Sequence, residues 1–160
     1  MNVDFLTAIR LFFANYANFK GRSTRAEYWW AALFLVLVNV VLDFIGVSFL
    51  SGLWSLAVLL PSLAIWTRRF HDIGKSGWWV VFFCVAQVVF LGVGFGPAMA
   101  DIATAGISSY DAIYNAFSSH GTSLGIGLIA TLALAIWMLV WLLKASGPTN
   151  QYGPNPYGEN

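Results

Sequence analysis

From Tyr28 to Thr67 nearly every position is apolar, and Asp43 is the one formal charge. A helix needs about 20 mostly apolar residues to cross the hydrocarbon core of a bilayer. The run is too long for one crossing and predicts two, at residues 28–47 and 53–67, with the turn marked by Gly46, Ser48, Ser51 and Gly52. Pro61 falls inside the second crossing and predicts a kink there. Two further apolar runs predict crossings at residues 78–94 and 124–143. A helix satisfies its own backbone groups in lipid, and the alternation expected of barrel strands is absent, so the chain reads as all-α and polytopic.

The segments outside the crossings carry patterns of their own. Phe5, Leu6, Ile9, Phe12, Phe13 and Tyr16 recur at helical spacing, with Asp4, Thr7, Arg10 and Asn15 turned elsewhere. This predicts an N-terminal amphipathic helix lying on the membrane surface, or one packed on the end of the bundle. Thr24-x-x-Glu27 has the spacing of a capping box. Residues 95–123 read as a long loop or lid, within which Tyr110, Ile113, Tyr114 and Phe117 predict a short helix capped through Ser108-x-x-Asp111. Gly92-x-x-x-Gly96 and Gly121-x-x-x-Gly125 have the spacing of close helix packing, read as packing within one chain rather than as a dimer face. Gly147-Pro148, Gly153-Pro154 and Asn155-Pro156 exclude a helix from the tail, residues 144–160, which is frayed or docked through Tyr152 and Tyr157.

Composition agrees with this reading. The chain of 160 residues is 59% hydrophobic and 9% charged, far too few charges to cover a soluble domain. It is read as a single membrane domain, residues 1–160, with no cleavable signal peptide at its start. A net charge of +1 gives no reason to expect a nucleic-acid partner. The distribution of charge says more. Arg10, Lys20, Arg22, Arg25, Arg68, Arg69, Lys75 and Lys144 are all eight basic residues, and four crossings place them on one side. The positive-inside rule then puts both termini in the cytoplasm. Trp29, Trp30, Trp66, Trp78, Trp79 and Trp141 sit near the same ends, as an aromatic belt should.

Three blocks stand out in order between the apolar runs: Gly21-Arg22-Ser23-Thr24-Arg25-Ala26-Glu27-Tyr28-Trp29-Trp30, then Arg68-Arg69-Phe70-His71-Asp72-Ile73-Gly74-Lys75-Ser76-Gly77-Trp78-Trp79, then Gly147-Pro148 through Tyr152-Gly153-Pro154-Asn155-Pro156. Together they resemble the YhaH/YhaI-type bacterial inner-membrane family, domain of unknown function eight hundred and five. The resemblance covers nearly the whole chain. It implies a small polytopic protein of the bacterial cytoplasmic membrane and no established activity.

The blocks bring Arg22, Arg25, Glu27, Arg68, Arg69, His71, Asp72 and Lys75 to the cytoplasmic face. Arginine forks match phosphate bidentately, and basic pockets at this depth bind anionic lipid headgroups. The face is therefore read as a non-enzymatic site for such headgroups or for a membrane-protein partner, against the alternative of purely topogenic charge. A second reading is a small transporter or channel subunit using Asn39 and Asp43, with Gln87 as a partner in the third crossing. Asp43 lies about 23 Å along the helix from Tyr28, toward the outer end, and so few polar residues would require an oligomer to line a path. A third reading is an interfacial enzyme acting on a lipid or polyprenyl phosphate, with His71 and Asp72 as acid and base. No metal or other cofactor is expected, because His120 is predicted on the side opposite His71 and a metal needs three or four ligands. Gly74-Lys75-Ser76 lacks the earlier glycine of a phosphate loop, where Arg69 stands. Gly74 and Gly77 are read instead as turning the chain back into the third crossing, and Asp72 as capping that turn. Cys84 reads as an inert packing thiol.

Overall fold

A computed structural model describes residues 3–105 and 110–158. The described chain is helical: α1 (Phe5–Ala14), α2 (Arg25–Ile45), α3 (Ser48–Asp72), α4 (Trp78–Ala105), α5 (Tyr110–Ser119) and α6 (Gly121–Leu143). The long helices α2, α3, α4 and α6 have 21, 25, 28 and 23 residues and mean hydropathies of 2.0, 1.8, 2.2 and 2.5. At about 1.5 Å per residue they run about 31 to 42 Å, enough to cross a core of about 30 Å.

Each long helix extends past at least one end of its expected crossing, while α2 stops at Ile45, short of residue 47. The turn between α2 and α3 is only Gly46 and Val47, while Ser48, Ser51 and Gly52 open α3. A single residue in the left-handed region suffices to stop α2: Gly46, at φ 73°, donates its N–H to Leu42 O at 3.1 Å. Past Gly94, α4 continues through Pro97 to Ala105, so the expected loop at 95–123 is largely helical where it is described. The expected short helix is α5, with Tyr110 and Tyr114 exposed and Ala116 buried; the cap expected at Ser108 lies outside the described residues.

The chain forms two compact units. One contains the chain up to Val80 together with the chain from Trp141 onward; the other is Val81–Val140. All eight basic residues belong to the first unit.

In the second unit α4 and α6 meet at a glycine pair. A Cβ on Gly94 would stand 2.8 Å from the Cα of Gly127, and one on Gly127 would stand 2.6 Å from that of Gly94. Only glycine at both positions allows that approach. The pairs expected from spacing do not make it: Gly92, Gly96, Gly121 and Gly125 have open space where a Cβ would be. Gln87 donates to the Thr131 hydroxyl at 3.3 Å, and His120 pairs with Asp101 at 2.9 Å.

In the first unit α1 packs on α2 and α3. Ala8 and Phe12 are buried, Phe5 meets Trp30 edge-on at 5.8 Å, and Phe13 meets Phe34 at 6.0 Å. Asp4 caps the helix, its Oδ1 accepting the Thr7 N–H at 2.7 Å. Hydrogen bonding to Thr7, through its side chain first and its backbone N–H second, lowers the Asp4 carboxyl pKa. The cap is therefore complete above the ordinary carboxylate pKa and is lost as pH falls through the lowered one.

A further bond ties α1 to α3. Pro61 has no N–H to give to the carbonyl of Ala57 four residues earlier. The Tyr16 hydroxyl donates to that carbonyl instead. In a helix surrounded by lipid an unmet carbonyl has no water to fall back on. Removing the hydroxyl with Tyr16→Phe is expected to cost about 1–3 kcal/mol, seen as a drop of several degrees in the unfolding midpoint in detergent. Tyr110→Phe, on an exposed ring, is expected to leave the midpoint unchanged.

Candidate functional site at the basic end of the first unit

The end of a helix leaves four backbone carbonyls without intrahelical partners. Carbonyls in the last turns of α3 are met by three separate segments. Ser23 N–H donates to Arg68 O at 3.1 Å, Lys75 N–H to Phe70 O at 2.8 Å, and Gly147 N–H to Asp72 O at 3.0 Å. The Asn150 side chain donates to His71 O at 3.0 Å. The three blocks singled out in the sequence therefore meet in space.

Arg22 is the clasp. Its Nε donates to Asp72 Oδ1 at 3.0 Å, its Nη1 to Pro148 O and Gly153 O at 2.8 and 3.1 Å, and its Nη2 to Asp72 O and Gly147 O at 3.1 and 2.5 Å. That is one acceptor for each of the five N–H donors of a guanidinium. Asp72 is fully buried, and its Oδ2 accepts from Arg69 and, at 2.6 Å, from the Ser146 hydroxyl. Asp72 thus does not cap the turn as expected; it ends α3 as the hub of an ion cluster. Arg69, with no exposed surface, also donates to Leu142 O and Lys144 O at the end of α6.

Arg68 forms a second pair. Its Nη2 meets Glu27 Oε1 at 3.4 Å, its Nε donates to the Ser23 hydroxyl at 2.9 Å, and its Nη1 donates to the carbonyls of Asn15 and Asn18. The Thr24 hydroxyl accepts the Glu27 N–H at 3.1 Å, as the capping spacing predicts. Glu27 does not return the bond to Thr24. Its carboxylate accepts from Ser23 and Arg68 instead, because a buried guanidinium is the stronger donor.

His71 is enclosed. Its Nδ1 donates to Gly21 O at 3.2 Å, and its ring lies flat on Tyr152 at 3.7 Å. A Cβ on Gly77 would come within 2.6 Å of the Thr67 methyl and 3.3 Å of His71 Nε2, so Gly77 is required by close approach. Gly74 makes the turn at φ 75°. Lys75 sits over the Trp141 ring at 5.0 Å.

Arg25 differs from Arg22, Arg68 and Arg69. It is exposed, and its Nη1 reaches Leu143 O at 3.5 Å. It lies in an open groove of about 450 Å³ formed with Ala26, Trp29, Trp30, Leu143 and Tyr157. Arg25 and Arg69 reach adjacent carbonyls, so their guanidinium groups flank one helix end. No ion pair among the described residues includes Arg25.

The intramembrane candidates stand apart from this cluster. Asn39 is exposed, and Asp43 is exposed beside a cavity of about 290 Å³ lined with Leu42, Gly46, Ser48 and Ser51. Gln87, expected as their partner, belongs to the second unit and bonds to Thr131. Among the described residues no three His, Cys, Asp or Glu side chains gather to hold a metal. Sequence reasoning missed Ser23, Ser146 and Asn150 as members of the network. Folding brings Ser23 to Arg68, Ser146 to Asp72 and Asn150 to the carbonyl of His71.

The family model described as "Protein of unknown function (DUF805)" matches residues 16–159. Inner membrane protein YhaI of Escherichia coli is 37% identical over 83 residues, covering 48% of this chain and 70% of that one. Inner membrane protein YhaH of the same organism is 31% identical over 91 residues, covering 48% and 72%. The uncharacterized protein YiiR is 30% identical over 80 residues, covering 47% and 55%. No solved structure matches.

Removing the hub charge with Asp72→Asn leaves Arg22 and Arg69 buried without a carboxylate. Breaking such a pair from one side costs about 3–5 kcal/mol. The variant is expected to unfold in detergent well over 5 °C below wild type, whereas Arg25→Ala, which breaks no ion pair, is expected to stay within about 2 °C.

Proposed function

The chain belongs to the DUF805 family of bacterial inner-membrane proteins, and from that premise we propose that it is a non-enzymatic multi-pass protein whose basic end faces the cytoplasm and holds an anionic lipid headgroup at Arg25. One observation carries the reading: positive charge at that end exceeds what the carboxylates among the described residues neutralise. Among those residues Arg68 has Glu27, but Arg22 and Arg69 share the single carboxylate of Asp72, and Arg25 stands beside them without a carboxylate. Like charges held together away from water attract a counter-anion. The lipid phosphate is the anion at hand at headgroup depth.

The other features support the same arrangement. Twenty residues of α3 from Ser48 onward, about 30 Å, cross the core and leave Arg68–Asp72 at the headgroup layer. Trp29 and Trp30 expose 37% and 39% of their surface at the groove, where an indole anchors best. Leu6, Phe13 and Phe19 are exposed on the segment that carries Arg10 and Lys20, which suits α1 to the inner side of the membrane. The clustering of all eight basic residues supports cytoplasmic termini and a chain that acts as one membrane domain. The expected binding set then divides. Arg25 meets the ligand, while Arg22, Glu27, Arg68, Arg69, His71, Asp72 and Lys75 position it. Both Asp72 oxygens are engaged and His71 lies under Tyr152, which speaks against their use as acid and base.

Native mass spectrometry of the protein in mild detergent tests the reading. Wild type is expected to keep phosphatidylglycerol, and Arg25→Ala to lose it about 10-fold or more, as loss of a charge-assisted hydrogen bond implies. Equal retention by both overturns the headgroup site. Retention of a protein instead of a lipid replaces it with a partner surface. Orientation has its own check: with Cys84→Ser as background, a cysteine placed after Gly158 is expected to resist an impermeant maleimide in intact spheroplasts and to react after lysis.

A further inference from the structure

The groove at Arg25 has two walls of different kinds. Ala26, Trp29, Trp30 and Leu143 stand on helices, whereas Tyr157 comes from the tail. The tail buries little apolar surface. Pro148, Thr149, Gln151, Pro154 and Tyr157 are all exposed. What holds it is polar. Ser146 and Gly147 bond to Asp72, Asn150 bonds to His71 O, and Arg22 takes the carbonyls of Gly147, Pro148 and Gly153. Tyr152 covers His71. Beyond that, Asn155 closes a turn by accepting from the Tyr157 and Gly158 N–H groups, each at 3.0 Å. This turn carries Tyr157 to the groove. The bonds at Asp72 and His71 are half-buried, while the bond to Pro148 O and those within the tail at Asn155 lie at the surface, and a segment with few buried apolar contacts opens more readily than a packed helix.

Most anchors of the tail run through Arg22 or Asp72, the cluster whose positive charge exceeds its carboxylates among the described residues. We infer that the C-terminal tail is the movable wall of the headgroup site, so that docking of residues 147–158 and binding of a phosphate group at Arg25 strengthen each other. This rests on the headgroup reading above. An anion at Arg25 relieves the repulsion among Arg22, Arg25 and Arg69, which lets Arg22 keep its grip on the tail carbonyls. A docked tail in turn brings the Tyr157 ring and hydroxyl to the bound group. Coupling of this kind is reciprocal, and its usual size is about 5- to 150-fold.

Hydrogen exchange of the full chain in nanodiscs reads the coupling. With phosphatidylglycerol added to phosphatidylethanolamine, amide protection across residues 147–158 is expected to rise about 5-fold or more in wild type and to stay flat in Arg25→Ala. Tyr157→Ala, at an exposed side chain, is expected to lower phosphatidylglycerol retention by a similar factor without moving the unfolding midpoint. Inorganic phosphate added to phosphatidylethanolamine discs separates the sources. A matching rise in protection supports the coupling with a soluble phosphate as ligand, and a rise with phosphatidylglycerol alone supports it with the lipid. If wild type retains phosphatidylglycerol while tail protection is the same in both discs, the coupling is overturned and the headgroup site stands. If Arg25→Ala retains the lipid as well as wild type does, the headgroup site falls and takes the coupling with it.

Discussion

The carboxylate of Asp72, held between the guanidinium groups of Arg22 and Arg69, is the interaction on which the first unit depends. It joins the segment before α2, the end of α3 and the tail, three stretches far apart in sequence. Each alone would leave backbone groups unmet at a helix end. Asp72 itself is poorly placed by its own helix, since a carboxylate at a C-terminus faces the negative end of the helix dipole. Two arginines and the Ser146 hydroxyl offset that cost. The same arginines go on to bond backbone carbonyls of the tail and of α6, so one ion cluster closes several helix and loop ends at once.

This use of arginine changes how the basic end is understood. A buried guanidinium whose five donors are all engaged, as at Arg22, has nothing to offer a ligand. Its contribution is shape and field. Among Arg22, Arg25, Arg68 and Arg69, exposure singles out Arg25, which lies next to indole rings. On the proposed reading the protein separates the two tasks, with the buried residues holding three segments together and one surface arginine meeting the anion.

Elsewhere the same accounting of backbone groups recurs. Pro61 frees a carbonyl within a membrane helix, and a tyrosine from α1 takes it up. The end of α6 is met by Arg25 and Arg69. Where no side chain is needed, absence of one matters: Gly94 and Gly127 let two backbones touch, and Gly77 makes room for Thr67 and His71.

The sequence by itself determined the helical class, the four long apolar helices, the α1 stripe, the capping threonine and the family, because these depend on local periodicity, on run length against bilayer thickness and on contiguous motifs. It also picked out the residues of the ion cluster as a group. Tertiary structure alone decided their roles. Whether an arginine is buried or exposed depends on which carbonyls and carboxylates surround it, and these come from positions 50 to 131 residues away for Arg22. The same holds for the glycine crossing, where the spacing in one helix pointed to Gly92 and Gly96 but the contact is set by the rotation of α4 against α6. The helix ends depend on tertiary structure for a related reason: Ser48, Ser51 and Gly94 weaken a helix locally, yet each is accommodated once a helix terminus or a neighbouring backbone supplies what the side chain does not.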